Sequence, residues 1–120
     1  MVSQREIGEM AEGLAENHLL KLGYQILEKN WYHGHLELDI VARDGNELVI
    51  VEVKSRNGIR YEHPSEAITN TKIKRVVEAA DAYINEKELN LETRFDVITI
   101  IFFGYDFELE HFKDAFYPTL

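Results

Sequence analysis

Residues 35–54, HLELDIVARDGNELVIVEVK, decide the fold of this chain, because two strand-like runs flank a turn signal. Residues 35–42 alternate apolar and polar side chains at period two, which is typical of a strand with one buried face. Residues 47–54 are rich in β-branched side chains, which favour strands. Because Asp-Gly-Asn at 44–46 is a strong hairpin signal, the stretch predicts two antiparallel strands joined by a tight turn.

Helices are predicted on both sides of this hairpin. Ser3 and Glu6 have the spacing of a capping box, and apolar residues then recur at helical steps until Gly23 ends the helix. A second amphipathic helix is predicted over residues 70–86, after a loop that runs to about Thr69. The remaining strands are predicted at residues 24–32, 94–103 and 106–112.

The order helix, three strands, helix, strand, strand predicts an α/β (α+β) fold with a mixed central sheet flanked by helices. A helical crossover after the three-stranded meander makes the next strand parallel to a neighbour. Both helices carry an apolar stripe, which they bury most simply against the sheet. At 120 residues, the chain is expected to form one domain that spans residues 1–120.

The composition excludes several kinds of chemistry. The chain has no cysteine, so disulfides, thiolate zinc sites and a cysteine nucleophile are excluded, and a cytoplasmic location is expected. We recognise no signal peptide at the N-terminus, and the longest apolar run is too short to cross a bilayer. No membrane partner is therefore expected.

The charge of the chain is unevenly distributed. A net charge of −9 argues against a general nucleic-acid coat protein, which would be basic. Residues 54–75, however, hold six basic and two acidic residues, a net +4 that leaves −13 for the rest of the chain. This basic stretch is either a solvated helix face and loop, which charge alone favours, or a patch that faces phosphates. Its candidate nucleic-acid contacts are Arg56, Lys72, Lys74 and Arg75.

Alternation along the hairpin brings charged side chains together. Successive residues of a strand point to opposite faces, so Glu37 and Asp39 share a face of one strand, and Glu52 and Lys54 share a face of the other. Two registers place both pairs on the same face of the sheet, whereas the intermediate register separates them. We expect a convergent register, because the apolar faces then also align into a core. The two registers pair Arg43 with Asn46 or Ala42 with Val49.

Carboxylates at such close range repel one another unless a cation compensates their charge. A hard divalent cation such as Mg²⁺ prefers oxygen ligands and leaves coordination positions for water and phosphate. Lys54, two residues beyond Glu52, can hold a nucleophilic water or offset charge that develops on a phosphate. The set therefore suits phosphodiester hydrolysis. The alternative is a structural role for Lys54, in which it forms a cross-strand ion pair with Glu37. Glu-x-Lys alone is a common pattern and does not by itself indicate catalysis.

Short motifs from about Gly8 to Phe116, along nearly the whole chain, point to one family. They are Ala11-Glu12-Gly13-Leu14-Ala15, Gly23-Tyr24, Glu37-Leu38-Asp39, Val51-Glu52-Val53-Lys54 with Arg56, Lys72, Arg94-Phe95-Asp96-Val97 and Lys113-Asp114-Ala115-Phe116. With these motifs the chain resembles the YraN-like family of predicted endonucleases, in the PD-(D/E)xK restriction-endonuclease-like superfamily, which are distant relatives of Holliday-junction resolvases. The resemblance implies a restriction-endonuclease-like core of order αβββαβ.

The resemblance also implies roles for individual residues. Asp39 and Glu52 would bind Mg²⁺ or Mn²⁺, and Lys54 would assist catalysis. Glu12, on the first helix, would complete the site from the side, while Glu37 would either contact the metal or only orient Lys54. The sequence departs from the family at residue 36, where a leucine replaces a frequent glycine.

The expected function is a metal-dependent endonuclease that hydrolyses phosphodiester bonds in nucleic acid, with DNA as the substrate that the resemblance implies. Two alternatives stay open: a nucleic-acid-binding module that keeps the fold without turnover, and a protein-interaction domain. A homodimer would suit a branched DNA substrate. Arg94 and Asp96 are expected to form a structural ion pair, and His33 and His35 to lie in a solvated turn rather than in a zinc site.

Overall fold

The computed structural model describes residues 2–58 and 64–118, except for the side chains of Pro64 and Ser65. The elements follow the predicted order, and a short helix is added within the predicted loop. They are α1 (Gln4–Lys21), β1 (Gln25–His33), β2 (Leu36–Asp44), β3 (Glu47–Asn57), α2 (Pro64–Ala67), α3 (Asn70–Lys87), β4 (Glu92–Phe103) and β5 (Asp106–Phe116). In this described part, none of the helices combines the length and the apolar character that a bilayer crossing requires.

Local interactions fix where the long helices begin and end. In α1 the Glu6 N–H donates to Ser3 Oγ at 3.1 Å and the Ser3 N–H donates to Glu6 Oε1 at 3.4 Å, which confirms the capping box. Gly23 has a φ of +89°, a left-handed conformation that suits glycine just after a helix. In α3 the Thr69 hydroxyl accepts the Lys72 N–H at 3.1 Å, so the helix begins after Thr69 as predicted.

The five strands form one mixed sheet in the order β1-β2-β3-β4-β5. Strands β3 and β4 are parallel, because α3 carries the chain back across the sheet between them, and the other neighbouring pairs are antiparallel. In the β2–β3 hairpin Ala42 pairs with Val49, which is one of the two convergent registers predicted. This pairing ends with Ile40 and Val51, just before the acidic residues of the two strands.

One helix covers each face of the sheet. Ala15 and Leu19 of α1 are buried with Ile40 and other residues of one face, and Val76 of α3 is buried with Leu38 and other residues of the opposite face. Each apolar stripe thus removes its side chains from water, which is the main stabilising contribution in such a domain. The predicted α/β fold is confirmed, and the architecture is compatible with a restriction-endonuclease-like core.

The side-chain alternation of β2 reverses at Asp39, which corrects one expectation. Leu38 belongs to the α3 cluster and Ile40 to the α1 cluster, although residues two apart in a regular strand share a face. On β1, Asn30 lies opposite Asp39 with a φ of 50°, in the left-handed region that asparagine tolerates. The reversal turns Glu37 toward α1 and away from the face of Glu52, whereas Asp39, at the reversal itself, lies close to both Glu12 and Glu52.

Candidate metal centre

A carboxylate from α1 meets two carboxylates from β2 at one end of the sheet. Glu12, Glu37 and Asp39 each offer one oxygen, and the three oxygens lie within 4.8 Å of one another. All three side chains are half-buried, so water screens their repulsion only in part. Within residues 2–58 and 64–118 this is the one group of three or more potential metal ligands, and His33 and His35 are not part of it.

Asp39 is held in place by the backbone of the neighbouring strand. Its Oδ2 accepts the Val53 N–H at 3.0 Å. Since the β2–β3 backbone pairing has ended at Ile40 and Val51, a side chain here supplies an acceptor to a β3 amide. One carboxylate oxygen of Asp39 is therefore fixed by a charge-assisted hydrogen bond, which orients the other.

Glu12 reaches this group from α1 because β2 turns toward that helix. Burial raises the pKa of Glu12, and the negative charge of Asp39 acts in the same direction. The side chain of Asn30 hydrogen-bonds to Glu12 and opposes that effect. Glu12 thus lies beside Glu37 and Asp39, on the side of the site where the resemblance expected it, and its surroundings disfavour its charged form.

Glu52 lies beside Asp39 on the side of the sheet that α3 covers, and it is 1% exposed. Burial first, and the negative charge of Asp39 second, raise its pKa well above that of a free glutamate. Its Oε1 has no hydrogen-bond partner, and its Oε2 lies 3.8 Å from Nζ of Lys72. A buried, unpartnered carboxylate oxygen is costly, so a cation at this position would be strongly stabilising.

Lys54 follows Glu52 along β3 and is half-buried. Its positive charge lowers the pKa of Glu52, although less than the charge of Lys72 does. In the part of the chain that the structure describes, no ion pair joins Lys54 to Glu37. The alternative that made Lys54 a cross-strand partner of Glu37 is thus not observed.

The predicted nucleic-acid contacts are spread around the site. Lys72 lies against the acids, and Arg56 stands further along β3. Arg75 donates from Nη2 to a backbone carbonyl of the β1–β2 turn at 3.3 Å, and Lys74 lines a surface cavity near the end of β5. The central part of the basic stretch, residues 59–63, lies outside the described residues.

Two residues beside the acids acquire a role that the sequence analysis did not assign. Asn30 forms a side-chain hydrogen bond with Glu12. The sequence feature that could have indicated an irregular position is an asparagine within a predicted strand, because asparagine tolerates a left-handed backbone. Tyr32 pairs with Glu37 across β1 and β2, and the negative charge of Glu37 raises the pKa of its phenol. Together with Arg5, these residues line an open cavity of about 330 Å³.

A second polar group lies at the opposite end of the β2–β3 hairpin and is structural. Arg94, 7% exposed, donates from Nε and Nη2 to the two Asp96 carboxylate oxygens at 2.9 and 3.0 Å, which confirms the predicted ion pair. Arg94 also donates to the Tyr24 hydroxyl at 2.7 Å and to Asp44 of the hairpin turn at 3.2 Å. Asp96 further binds His111 at 2.7 Å.

The sequence matches the profile of a known family over three quarters of its length. That family is described as Uncharacterised protein family UPF0102, and the match covers residues 11–100 of the 120. The chain belongs to the UPF0102 family. The resemblance to YraN-like proteins is confirmed at the level of this family.

Curated UPF0102 proteins are similar to this chain from end to end. The protein of Bacteroides thetaiotaomicron is 47% identical over 120 residues, which cover 100% of this chain and 99% of that protein. The protein of Flavobacterium psychrophilum is 41% identical over 117 residues, which cover 98% of each chain. The protein of Christiangramia forsetii is 37% identical over 117 residues, again 98% of each chain. The acidic group and Glu52 therefore lie inside the region that these UPF0102 proteins share with the chain.

Proposed function

We propose that this UPF0102 protein is a metal-dependent endonuclease of the PD-(D/E)xK superfamily that hydrolyses phosphodiester bonds in DNA. The observation that carries the proposal is the meeting of the three carboxylates of Glu12, Glu37 and Asp39 beside a buried Glu52 oxygen that has no partner. Repulsion and desolvation both oppose this arrangement in the absence of a cation. Closely spaced, poorly compensated charges of this kind are typical of functional sites.

The available ligands fit Mg²⁺ or Mn²⁺. The group consists of carboxylate oxygens alone, which hard cations prefer, and it contains neither histidine nor cysteine. Asp39 is the most constrained ligand, because its other oxygen is bound to Val53. Glu52 supplies a further oxygen that no protein group satisfies. Mg²⁺ usually takes only a few protein carboxylates and keeps positions for water and for substrate phosphate.

The residues around the acids divide the work of hydrolysis. A bound divalent cation supplies Lewis acidity and lowers the pKa of a coordinated water. Lys54 follows Glu52 by two positions on β3, and its positive charge acts on Glu52, so its ammonium group is proposed to orient the attacking water or to neutralise charge that develops on the phosphate. Its three donors and its positive charge suit either role. Lys54 is thus proposed to act on the reacting atoms, and the acids to hold the cation.

The basic stretch is proposed to hold the DNA backbone. Arg56, Lys72, Lys74 and Arg75 supply the cations, while the rest of the chain is strongly acidic. Phosphates are attracted to the basic residues and repelled by the acidic remainder of the chain, which favours binding of the backbone near Lys72, the cation that lies against the acids. Tyr32, exposed at the rim of the acidic group, offers a ring face to a base.

Calorimetric titration with MnCl₂ and MgCl₂ tests the metal centre directly. We expect the wild type to bind and Asp39→Asn to bind roughly tenfold or more weakly, because a fixed ligand is lost. Asp81→Asn, on the exposed face of α3, is the matched control and should bind as the wild type does. If the wild type binds neither ion at millimolar concentration, the proposal is wrong.

Cleavage of labelled branched, single-stranded and duplex DNA tests the activity. We expect cleavage that requires Mg²⁺ or Mn²⁺, is abolished in EDTA, and is lost in Lys54→Met although that variant still binds metal. Metal binding together with DNA binding but without cleavage of any substrate would identify a non-catalytic nucleic-acid-binding module. Metal binding without affinity for any DNA would favour the protein-interaction alternative.

A further inference from the structure

Lys72 pairs with the buried glutamate of the candidate metal centre from a separate element. Its Nζ lies 3.8 Å from Glu52 Oε2, and in residues 2–58 and 64–118 no other cation forms an ion pair with Glu52. A separation of 3.8 Å is too long for a hydrogen bond, so the contact is purely electrostatic. Lys72 can therefore move away from Glu52 without breaking a hydrogen bond between the two side chains.

The two ends of the Lys72 residue are constrained differently. Its backbone N–H is bound to the Thr69 hydroxyl at 3.1 Å, which fixes the residue in the first turn of α3. Its side chain is 33% exposed, whereas the Glu52 side chain is 1% exposed. The ammonium group thus stands between a buried acid and solvent, at the end of a flexible four-carbon stem.

We propose that Lys72 is an exchangeable counter-ion that couples metal binding to nucleic-acid binding. Lys72 partly compensates the negative charge of Glu52 in the metal-free protein, leaves Glu52 when a divalent cation takes that carboxylate, and then contacts a phosphate of the substrate. The inference rests on the proposed function, because it requires that Glu52 is a metal ligand and that the substrate is a polyanion.

The physical basis is competition for one carboxylate. Two cations at the same oxygen repel each other strongly where little water screens their charges. Glu52 is such a position, because its side chain is almost fully buried. Each divalent ion that binds therefore releases Lys72, and each phosphate that captures Lys72 removes a competitor of the metal. By linkage, metal must strengthen DNA binding by the same factor by which DNA strengthens metal binding.

Metal titration in the absence of DNA tests the competition. We expect Lys72→Met to bind Mn²⁺ roughly three- to tenfold more tightly than the wild type, because the competing charge is gone. Lys72→Arg keeps the charge and should stay within about twofold of the wild type. Lys21→Met, on the exposed last turn of α1, removes a lysine elsewhere and should leave the affinity unchanged.

DNA binding in the same variants tests the coupling. Fluorescence anisotropy with a labelled branched DNA is measured in EDTA and in Ca²⁺, which takes oxygen ligands, and gels confirm that the DNA stays intact. In the wild type, Ca²⁺ should make the slope of log affinity against log salt steeper by about 0.9, the value of one further phosphate contact. This increment should be absent in Lys72→Met and present in Lys21→Met.

The outcomes separate this inference from the proposed function. Wild type that binds no metal overturns both. Wild type that binds metal, with unchanged or weaker metal binding in Lys72→Met, overturns the exchange and leaves the metal centre in place. If Lys72→Met binds metal more tightly but Ca²⁺ still steepens the salt dependence of its DNA binding, the coupling is overturned, because another residue then makes the new phosphate contact.

Discussion

At the scale of single residues, Glu52 is the most unusual side chain of the protein. It is 1% exposed, one of its oxygens has no hydrogen-bond partner, and Lys72 compensates its charge from 3.8 Å. By comparison, Asp96 is equally buried but is bound by Arg94 and His111. A carboxylate that is buried without such bonds destabilises the fold, which is a frequent property of a residue kept for function.

Glu52→Gln should therefore stabilise the metal-free protein at neutral pH. Burial and the charge of Asp39 raise the pKa of Glu52 above 4.5, so the folded state keeps a proton that the unfolded chain has already lost. The free energy of unfolding of the wild type consequently falls as the pH rises from 4.5 through the raised pKa of Glu52. The glutamine variant has no group to titrate at this position, so its free energy of unfolding does not fall for this reason. We expect Glu52→Gln to be more stable than the wild type at pH 7 in urea denaturation in EDTA, with a difference that shrinks as the pH falls toward 4.5.

The control for this prediction is Glu86→Gln, an exposed glutamate of α3. Its stability should follow that of the wild type across the pH range. A glutamine variant at position 52 that is less stable than the wild type at neutral pH would show that Lys72 compensates the charge fully.

Asp39→Ala should abolish stabilisation by metal. A ligand that binds only the folded state raises the free energy of unfolding by about 2.7 kcal/mol at a hundredfold excess over its dissociation constant. The melting temperature of the wild type should therefore be higher in Mg²⁺ or Mn²⁺ than in EDTA, whereas that of Asp39→Ala should be the same in both. Equal shifts in both proteins would place any bound metal elsewhere.

At the scale of elements, the decisive feature is the reversal in the β1–β2 pair. Asn30 adopts a φ of 50° opposite Asp39, and side chains two residues apart then face opposite layers of the protein. Glu37 and Asp39 reach Glu12 on α1 only because of this reversal. An irregular position in a strand often re-aims side chains next to a functional site, and this one does so for two carboxylates.

Asn30→Val should cost stability and disturb the acidic group, whereas Asn30→Gly should not strain the backbone. Both variants lose the hydrogen bond to Glu12, but only valine is forced into the left-handed region. We expect Asn30→Val to be about 1–2 kcal/mol less stable than Asn30→Gly in urea denaturation, with weaker Mn²⁺ binding in calorimetry. Equal stability of the two variants would mean that the strand readily straightens.

At the scale of the whole molecule, the two ends of the β2–β3 hairpin differ in how well their polar groups are satisfied. At the turn end, Arg94 joins Asp96, Tyr24 and Asp44 in a network in which each charged group has a bonded partner. At the other end, the carboxylates are crowded and Glu52 is unsatisfied. The bonds at the first end join β4 to β2 and to Tyr24, and the second end is proposed to perform the chemistry.

Asp96→Asn should destabilise the whole fold while leaving the acidic group intact. Burial opposes the charge of Asp96, but hydrogen bonds from His111 and Arg94 outweigh it and lower its pKa below 3.8. The stabilising effect is therefore present above about pH 4 and is lost as the pH falls through the lowered pKa. At pH 7 the variant removes the two-oxygen carboxylate partner of Arg94, which keeps its bonds to Asp44, Glu47 and Tyr24, and we expect a loss of about 1–3 kcal/mol in urea denaturation.

The control is Asp106→Asn, at the exposed first residue of β5, which should change stability little. Under conditions where Asp96→Asn is folded, its affinity for Mn²⁺ should equal that of the wild type. A selective loss of metal binding would instead connect the two ends of the hairpin.

The sequence by itself determined the elements, the mixed sheet and the identity of the acids. Period-two alternation, the Asp-Gly-Asn turn and the Ser3–Glu6 capping box are local signals, and each is set by residues close together in the chain. The helix and strand order followed from them, as did the hairpin register to within two choices. The motif residues Asp39, Glu52 and Lys54 were also evident, because strand periodicity is a property of neighbouring residues.

Only the tertiary structure decided how the site is assembled. A period-two pattern assumes a regular strand, so it could not show that the alternation of β2 reverses at Asp39, opposite a left-handed Asn30 on β1. Nor could it show that Lys72, 20 positions away, compensates Glu52 from α3. Burial and long-range charge compensation depend on which elements pack together, and no local sequence pattern specifies these distances.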